Sequence, residues 1–516
     1  MITDYLLRRI ITTTSRARYY SFYPWALWHI EKNEAPARFS EFAAAFRRRE
    51  AFAAFATLQN DANAGRVVGA RSILPKLAQS SERRVIDTNV AVLPSNGMGG
   101  YGQYYGGCLY GFGLTYRSEE GIDRTAPGRG EAIANAFERS VAETPYLKQA
   151  HYRDNTIPLG VLVESAEIFS LDSLNQEGAV VERELLRELF FSWDRTELRE
   201  TDILRRQTLG LILHMVSEYE RAGIKSTEVE KHLVYPTYYY GVLWHDEEPV
   251  PYQPPANLAT CYGFWQQFCA HEYLTQALET LLWCILEVLN LQPSGMTLAD
   301  IFRALTEQGF GSTLSRVFGA GSTPSELLAA LGINTIPDGE QCQQARAQIG
   351  ATSDKSEWKL LAVEGGPAET AAAAVGLLAV LYAKWRGAGS EFTRYIGLHA
   401  SGELWTGAVL PAMDEWLRPD LDWNTALNSF LEPFLLEQHD RIMYEKGRLE
   451  SCWLSRLDGK IRKDQDYHPV FRSSRHWNCV QILTDVGLLE ISPDDELSIT
   501  AEGRRQLNRV LHFNGT

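Results

Sequence analysis

The sequence predicts a mainly α, multi-domain helical scaffold with a C-terminal winged-helix domain, and three observations carry that prediction. Apolar residues recur at three- and four-residue spacing, as in Leu274, Ala277, Leu278, Leu281, Ile285 and Leu289, the pattern of a buried helix. The stretch 235–255, with Pro236, Pro249, Pro251, Pro254 and Pro255, breaks that spacing and separates an N-terminal region from a central one. Between Phe471 and Phe513 the period passes from helix to strand alternation and back to helix. The expected organisation is a helical domain over 1–234, a linker over 235–255, a central helical domain over 256–440, and a basic hairpin with the winged helix over 441–516.

In chain order, Arg16, Arg18, Tyr19, Tyr20, Phe22, Tyr23, Trp25 and Trp28 open the N-terminal domain, and a helix over 39–58 carries Arg47, Arg48 and Arg49. Arginine beside aromatic rings can follow a nucleic-acid strand by stacking and phosphate contact, so Arg16, Arg18, Arg47 and Arg48 form a candidate second basic site. The alternative is that the rings anchor a core and the arginines pair with acids. The run from Asn96 to Gly113 is dense in glycine and tyrosine but lacks the lysine and hydroxyl of a phosphate loop, and no strand precedes it. It reads as a close helix approach or a loop with stacking faces. Helices are expected over 130–142, 180–191 and 201–222, the last with Leu204, Leu209, Leu211, Ile212, Met215 and Tyr219 on its apolar face. Residues 371–383 are apolar but fall short of the roughly 20 residues a membrane span needs, so they are expected to form a buried helix.

The terminal module is the most legible part. Val480, Leu483 and Val486 share a helical face, Gly487 can close that helix, and Leu489/Ile491 and Leu497/Ile499 alternate as two strands about a Pro493-Asp494-Asp495 turn. Thr500 can cap a last helix that buries Leu507, Val510 and Leu511. Arg472, Arg475 and His476 at its start, with Arg504, Arg505 and Arg509 on the last helix, suit phosphate contact. Upstream, Asp458-Gly459 marks a hairpin tip flanked by Arg456, Lys460, Arg462 and Lys463. The acidic wing, Asp494-Asp495-Glu496, would repel a phosphate backbone, so it is expected to face protein or solvent.

Composition narrows the function. The chain has 516 residues and a formal charge of -15, which argues against a general polyanion binder, since nonspecific nucleic-acid affinity comes from neutralising phosphates. The charge is segregated: residues 1–49 carry nine Lys/Arg against four Asp/Glu, and 441–475 carry nine against five. Any DNA is therefore expected at the basic ends. The seven cysteines are scattered without a C-x-x-C pair, which fits a reduced cytoplasmic protein and gives no zinc framework. The N-terminus lacks the apolar core of a secretion signal, and no membrane association is expected.

Catalytic signatures are weak. His271-Glu272 starts like a zinc-protease motif, but Thr275 stands where the second histidine belongs. Glu357-Trp358-Lys359, with Asp338 or Asp354 upstream and a strand over 360–363, would resemble the core of a magnesium-dependent nuclease. His439-Asp440-Arg441 and Glu445-Lys446 read as a salt-linked helix. No cofactor or structural metal is indicated.

The pattern R-A-R-Y-Y-x-F-x-P-W from Arg16, then F-R-R-R-E from Phe46, the helix 265–282, the segment 439–446 and the terminal module together resemble bacterial families encoded in restriction and anti-phage gene clusters. That resemblance implies a prokaryotic, cytoplasmic, largely helical protein working with neighbours encoded beside it, and it implies no chemistry. The leading expectation is a non-catalytic, DNA-associated defence subunit that scaffolds or regulates an ATPase or nuclease partner. The alternatives are a magnesium-dependent nuclease through Asp338, Glu357 and Lys359, and a protein-binding adaptor that docks through the winged helix.

Overall fold

Helices carry most of the regular structure, and among the described residues strands occur only as two-stranded antiparallel pairs too short to bury a sheet face of their own. The structure, a computed structural model, describes residues 2–13, 16–61, 67–194, 197–245, 248–388, 406–447 and 452–513. It divides into two compact units, the first made of 1–233, 254–262 and 473–516 and the second of 234–253 and 263–472. Each is interleaved along the chain, whereas the sequence suggested consecutive domains.

The first unit is built on aromatic packing. The helix Tyr19–Asn33 packs on Arg129–Val141, and Phe39–Asn60 packs on Leu159–Phe169. Phe22, Trp25, Phe137 and Phe169 interlock between them in tilted and edge-to-face pairs, and all four are fully buried. Glu200–Ala222, capped by Gly223 in the left-handed conformation, receives the terminal helix Ala501–Leu511 along one side.

The terminal segment has the order helix, hairpin, helix: His476–Asp485, the strands Leu489–Ile491 and Leu497–Ile499 in antiparallel register, then Ala501–Leu511. Gly487 (φ +73°) ends the first helix, and Leu488 N–H closes onto the Leu483 carbonyl at 2.8 Å, a six-residue bond that satisfies an orphan acceptor. Thr500 Oγ1 accepts from Gly503 N–H (2.9 Å) to start the last helix. These elements lie inside the first unit: Ile499 N–H donates to Glu220 Oε1 (2.7 Å), and Leu497 N–H to the Ser226 carbonyl (3.2 Å).

The second unit is organised around the helix Pro367–Trp385, which is buried on nearly all sides among Phe310–Phe318, Gly339–Gln348 and Glu357–Leu361. The expected linker is itself ordered: Val229–Tyr240 is a wide-turn helix around Pro236, and a short strand pair follows it. The expected basic hairpin forms as Leu454–Leu457 paired with Lys460–Lys463, with Asp458 and Gly459 both at positive φ, the backbone a two-residue hairpin turn requires.

Candidate functional site

An open cleft of about 830 Å³ lies in the first unit where the terminal module meets the helix Val180–Phe191. Its polar walls are Arg183, Arg187 and Arg505 on one side of the charge balance and Glu184, Glu490 and Glu502 on the other, over a floor that includes Leu489 and Ile491. Arg183 and Arg187 stand four residues apart, so one helical face delivers both. Arg187 Nε donates to the Val486 carbonyl (2.6 Å), and its Nη1 lies 3.6 Å from Glu502. Burial pulls the Arg187 guanidinium down, with Glu502 beside it opposing that shift. Arg505 Nε donates to the same Glu502 at 3.0 Å. Arg183 Nη1 donates to the Leu174 carbonyl (3.0 Å), while its buried Nε makes no hydrogen bond. Of these residues the sequence pointed to Arg505 alone; the i, i+4 arginines of Val180–Phe191 were the signal that could have found the rest.

The module's remaining basic residues are mostly engaged inside the protein. Arg475, at φ +64°, pairs with Asp4 and donates to the Ile10 carbonyl (2.9 Å). His476 is fully enclosed, held at Ser474 Oγ (3.1 Å), and burial pushes it down to about 3, so it carries no positive charge for a phosphate near neutrality. Both corrections have one cause, which is that the helix His476–Asp485 faces the interior: Asp485 is buried and receives Arg16 Nη1 and Ala17 N–H, each at 2.9 Å. Arg504 pairs with Glu220 on the surface. In the second unit, Lys463 lies 2.7 Å from Asp466 and 3.3 Å from Glu287, and Arg462 Nε donates to the Ser294 carbonyl (3.2 Å). Arg456 pairs with Glu432 and Asp440. Lys460 and Arg472 keep exposed side chains.

The candidate second basic site is not assembled either. Arg18 is fully buried: its guanidinium meets both oxygens of Glu182 (3.1 and 3.2 Å), the Ile168 and Ser170 carbonyls (2.7 and 2.5 Å) and Ser140 Oγ (2.9 Å), over the Phe137 ring. Arg48 pairs with Glu34 at 2.8 Å. Among the described residues Arg47 reaches only Asn89 Oδ1, at 3.4 Å. A guanidinium with this many partners is a core element, since removing a buried charge from water is tolerated only where its donors are satisfied.

The nuclease triplet is taken apart by secondary structure. Glu357 and Lys359 lie on a helix, Glu357–Leu361, and not beside a strand over 360–363. Residues two apart share a face on a strand but diverge on a helix. Glu357 points inward, fully buried, while Lys359 points outward to Asp354 (2.9 Å). Asp338 caps the helix Gly339–Gln348, accepting from Gln341 N–H at 2.9 Å in a capping box. Glu357 instead binds Lys384 Nζ through both oxygens (2.8 and 2.9 Å) and accepts from Tyr239 Oη (2.6 Å) and Tyr240 Oη (2.8 Å). Burial pulls Lys384 down and Glu357 holds it up. Among the described residues, no group of three or more His, Cys, Asp or Glu is placed to hold a metal.

The glycine run cradles a carboxyl group, and that group is the protein's own. Tyr101–Tyr105 and Gly106–Phe112 form consecutive helical turns, and Glu50 from Phe39–Asn60 sits at their start. Its Oε1 accepts from Gly100 N–H (2.8 Å) and Tyr23 Oη (2.9 Å). Gly99 (φ +54°) passes so close that a Cβ would lie 1.7 Å from Glu50 Oε2, which accounts for glycine there. No cation pairs with Glu50 among the described residues, and burial pushes its carboxyl up to about 7. Compared with known proteins, the chain matches no protein family, no curated protein and no solved structure.

Proposed function

We propose that this chain is a non-catalytic helical scaffold of a prokaryotic defence system whose terminal module, with the helix–hairpin–helix order of a winged helix, docks a protein partner. One observation carries the reading: the cleft between the module and the helix Val180–Phe191 is lined by Arg183, Arg187 and Arg505 together with Glu184, Glu490 and Glu502. A uniform phosphate backbone would meet three carboxylates there, whereas a polypeptide segment carrying both charges can match each sign in turn. The enclosed helix His476–Asp485 supports the same conclusion, because the face that would enter a DNA groove packs on the body of the unit. In the acidic wing Glu496 lies 3.4 Å from Lys225, while Asp494 and Asp495 are exposed.

The test is purification of the full chain from cells expressing its natural gene neighbourhood, beside Glu490→Arg and Arg505→Glu variants. A stoichiometric protein partner that is lost from both variants supports docking at the cleft. Retention of the same partner by both variants, or recovery of nucleic acid without protein, contradicts it.

A further inference from the structure

The chain carries one strongly charged element that the terminal module's chemistry does not involve. The helix Ala70–Arg83 presents Arg71, Lys76 and Arg83 to solvent, and Arg84, at φ +58°, ends it with another exposed guanidinium. None of the four makes an ion pair or side-chain hydrogen bond among the described residues. Glu82 is the one acid on the segment, so 70–84 carries four positive charges against one negative, a net of +3 in a chain of -15. This set differs from the cations discussed above, nearly all of which have a carboxylate or carbonyl partner.

The helix is firmly mounted. Ile73 and Ser80 are buried beneath it, and it packs on Phe39–Asn60 and on the strand Val85–Asp87. Its closing residue is fixed as well, with Leu159 N–H donating to the Arg84 carbonyl at 2.9 Å. Arg47, on Phe39–Asn60, reaches Asn89 just beyond that strand and adds a fifth cation nearby. The row is therefore held by backbone and core, with its charges in water.

We propose that the Ala70–Arg83 helix is a contact surface for the phosphate backbone of duplex nucleic acid, independent of base sequence. Spacing is the first reason. Arg71 and Arg83 are twelve residues apart, roughly 18 Å along a helix at 1.5 Å per residue. Lys76 and Arg83 fall within about 20° of each other around the helix while Arg71 lies at its other end, so the cations span a length that an extended polyanion can follow and a small anion cannot. Surface chemistry is the second. A bilayer-seated helix needs a row of large apolar side chains, and here Leu74, 38% exposed, is the only large aliphatic counted as exposed on the helix. The helix carries no aromatic side chain on which unpaired bases could stack, which favours a duplex over a single strand.

The experiment is fluorescence anisotropy of the full chain with a labelled 20-base-pair DNA duplex at about 50 and 200 mM salt, the range over which phosphate contacts report themselves. Four contacts give a log–log slope near -3.6, a loss of about 100-fold in affinity across that range. Lys76→Glu with Arg83→Glu is expected to weaken binding at low salt at least tenfold and to roughly halve the slope, with the melting temperature unchanged. Lys76→Gln with Arg83→Gln provides the same reading if the reversal impairs folding. Wild-type-like binding by the variants, or salt-independent binding by the parent chain, overturns the proposal. So does preferential binding to anionic vesicles or to polyglutamate with the same dependence on Lys76 and Arg83, which would assign the surface to a membrane or an acidic protein. Because Glu490 and Arg505 are untouched, this result is separable from the fate of the docking cleft.

Discussion

The terminal module and the helix Ala70–Arg83 are both rich in arginine, yet the fold treats them in opposite ways. In the module, Arg475 is tied to Asp4, Arg504 to Glu220 and Arg505 to Glu502, and the neighbouring His476 is sealed. On and just after the Ala70–Arg83 helix, Arg71, Lys76, Arg83 and Arg84 stand in solvent without an ion pair among the described residues. The comparison teaches that local charge density does not identify a polyanion surface. What identifies it is charge left over after the fold has supplied its own counterions, and two of those counterions, Asp4 and Glu220, come from sequence positions hundreds of residues away.

The largest expected effect comes from breaking the module's internal anchorage. Asp485→Ala removes the acceptor of the part-buried Arg16 guanidinium and of the buried Ala17 N–H, which together typically cost about 3–4 kcal/mol. Urea unfolding would show this as a lowered midpoint. A loss below about 1 kcal/mol would mean that the module is not locked to the body as described.

Glu50 gives the next effect, and one that depends on pH. Its folded carboxyl titrates at about 7 against 4.5 for the free group, so the folded state binds the proton more tightly. The resulting stabilisation is complete below 4.5 and is lost as pH rises through about 7, on the order of 3 kcal/mol across that window. Glu50→Gln, which keeps an acceptor for Gly100 N–H and Tyr23, should therefore gain on the parent chain steadily from pH 4.5 to 7. Parallel stability curves for the two proteins would show that Glu50 is already ionised or solvated.

The smallest effect is expected at the surface of the module. Arg504→Ala removes an exposed pair with Glu220 and should change stability by less than about 1 kcal/mol. It should leave duplex affinity unaltered. A several-fold drop in affinity would restore the module as a nucleic-acid surface.

Much of the architecture was legible because it is local. Helices expected over 180–191 and 201–222 lie at Val180–Phe191 and Glu200–Ala222, and Thr500 caps Ala501–Leu511 as its sequence position suggests. The Asp458-Gly459 tip and the order of elements after Arg475 were likewise set by turn and cap residues close in sequence. What stayed hidden was pairing across long separations. Nothing near Arg18 points to Glu182, and nothing near Glu357 points to Lys384 or to Tyr239 and Tyr240 in a stretch that reads as linker. The Glu357 triplet misled for a related reason: Leu360-Leu361 suits strand or helix equally, and tertiary packing against Pro367–Trp385 decides for helix. The cleft was half visible, since Arg505 stood out in a basic helix while Arg183 and Arg187 sat among glutamates in an ordinary amphipathic one.

The central claim, that unpaired charge and not charge density marks the polyanion surface, is tested most directly by measuring duplex affinity against salt for two reversals side by side. One is Lys76→Glu with Arg83→Glu, and the other is Arg504→Glu with Arg505→Glu. The account predicts that the first loses at least tenfold in affinity and about half the salt slope, while the second binds as the parent chain does. Loss of binding in the second with retention in the first would contradict it.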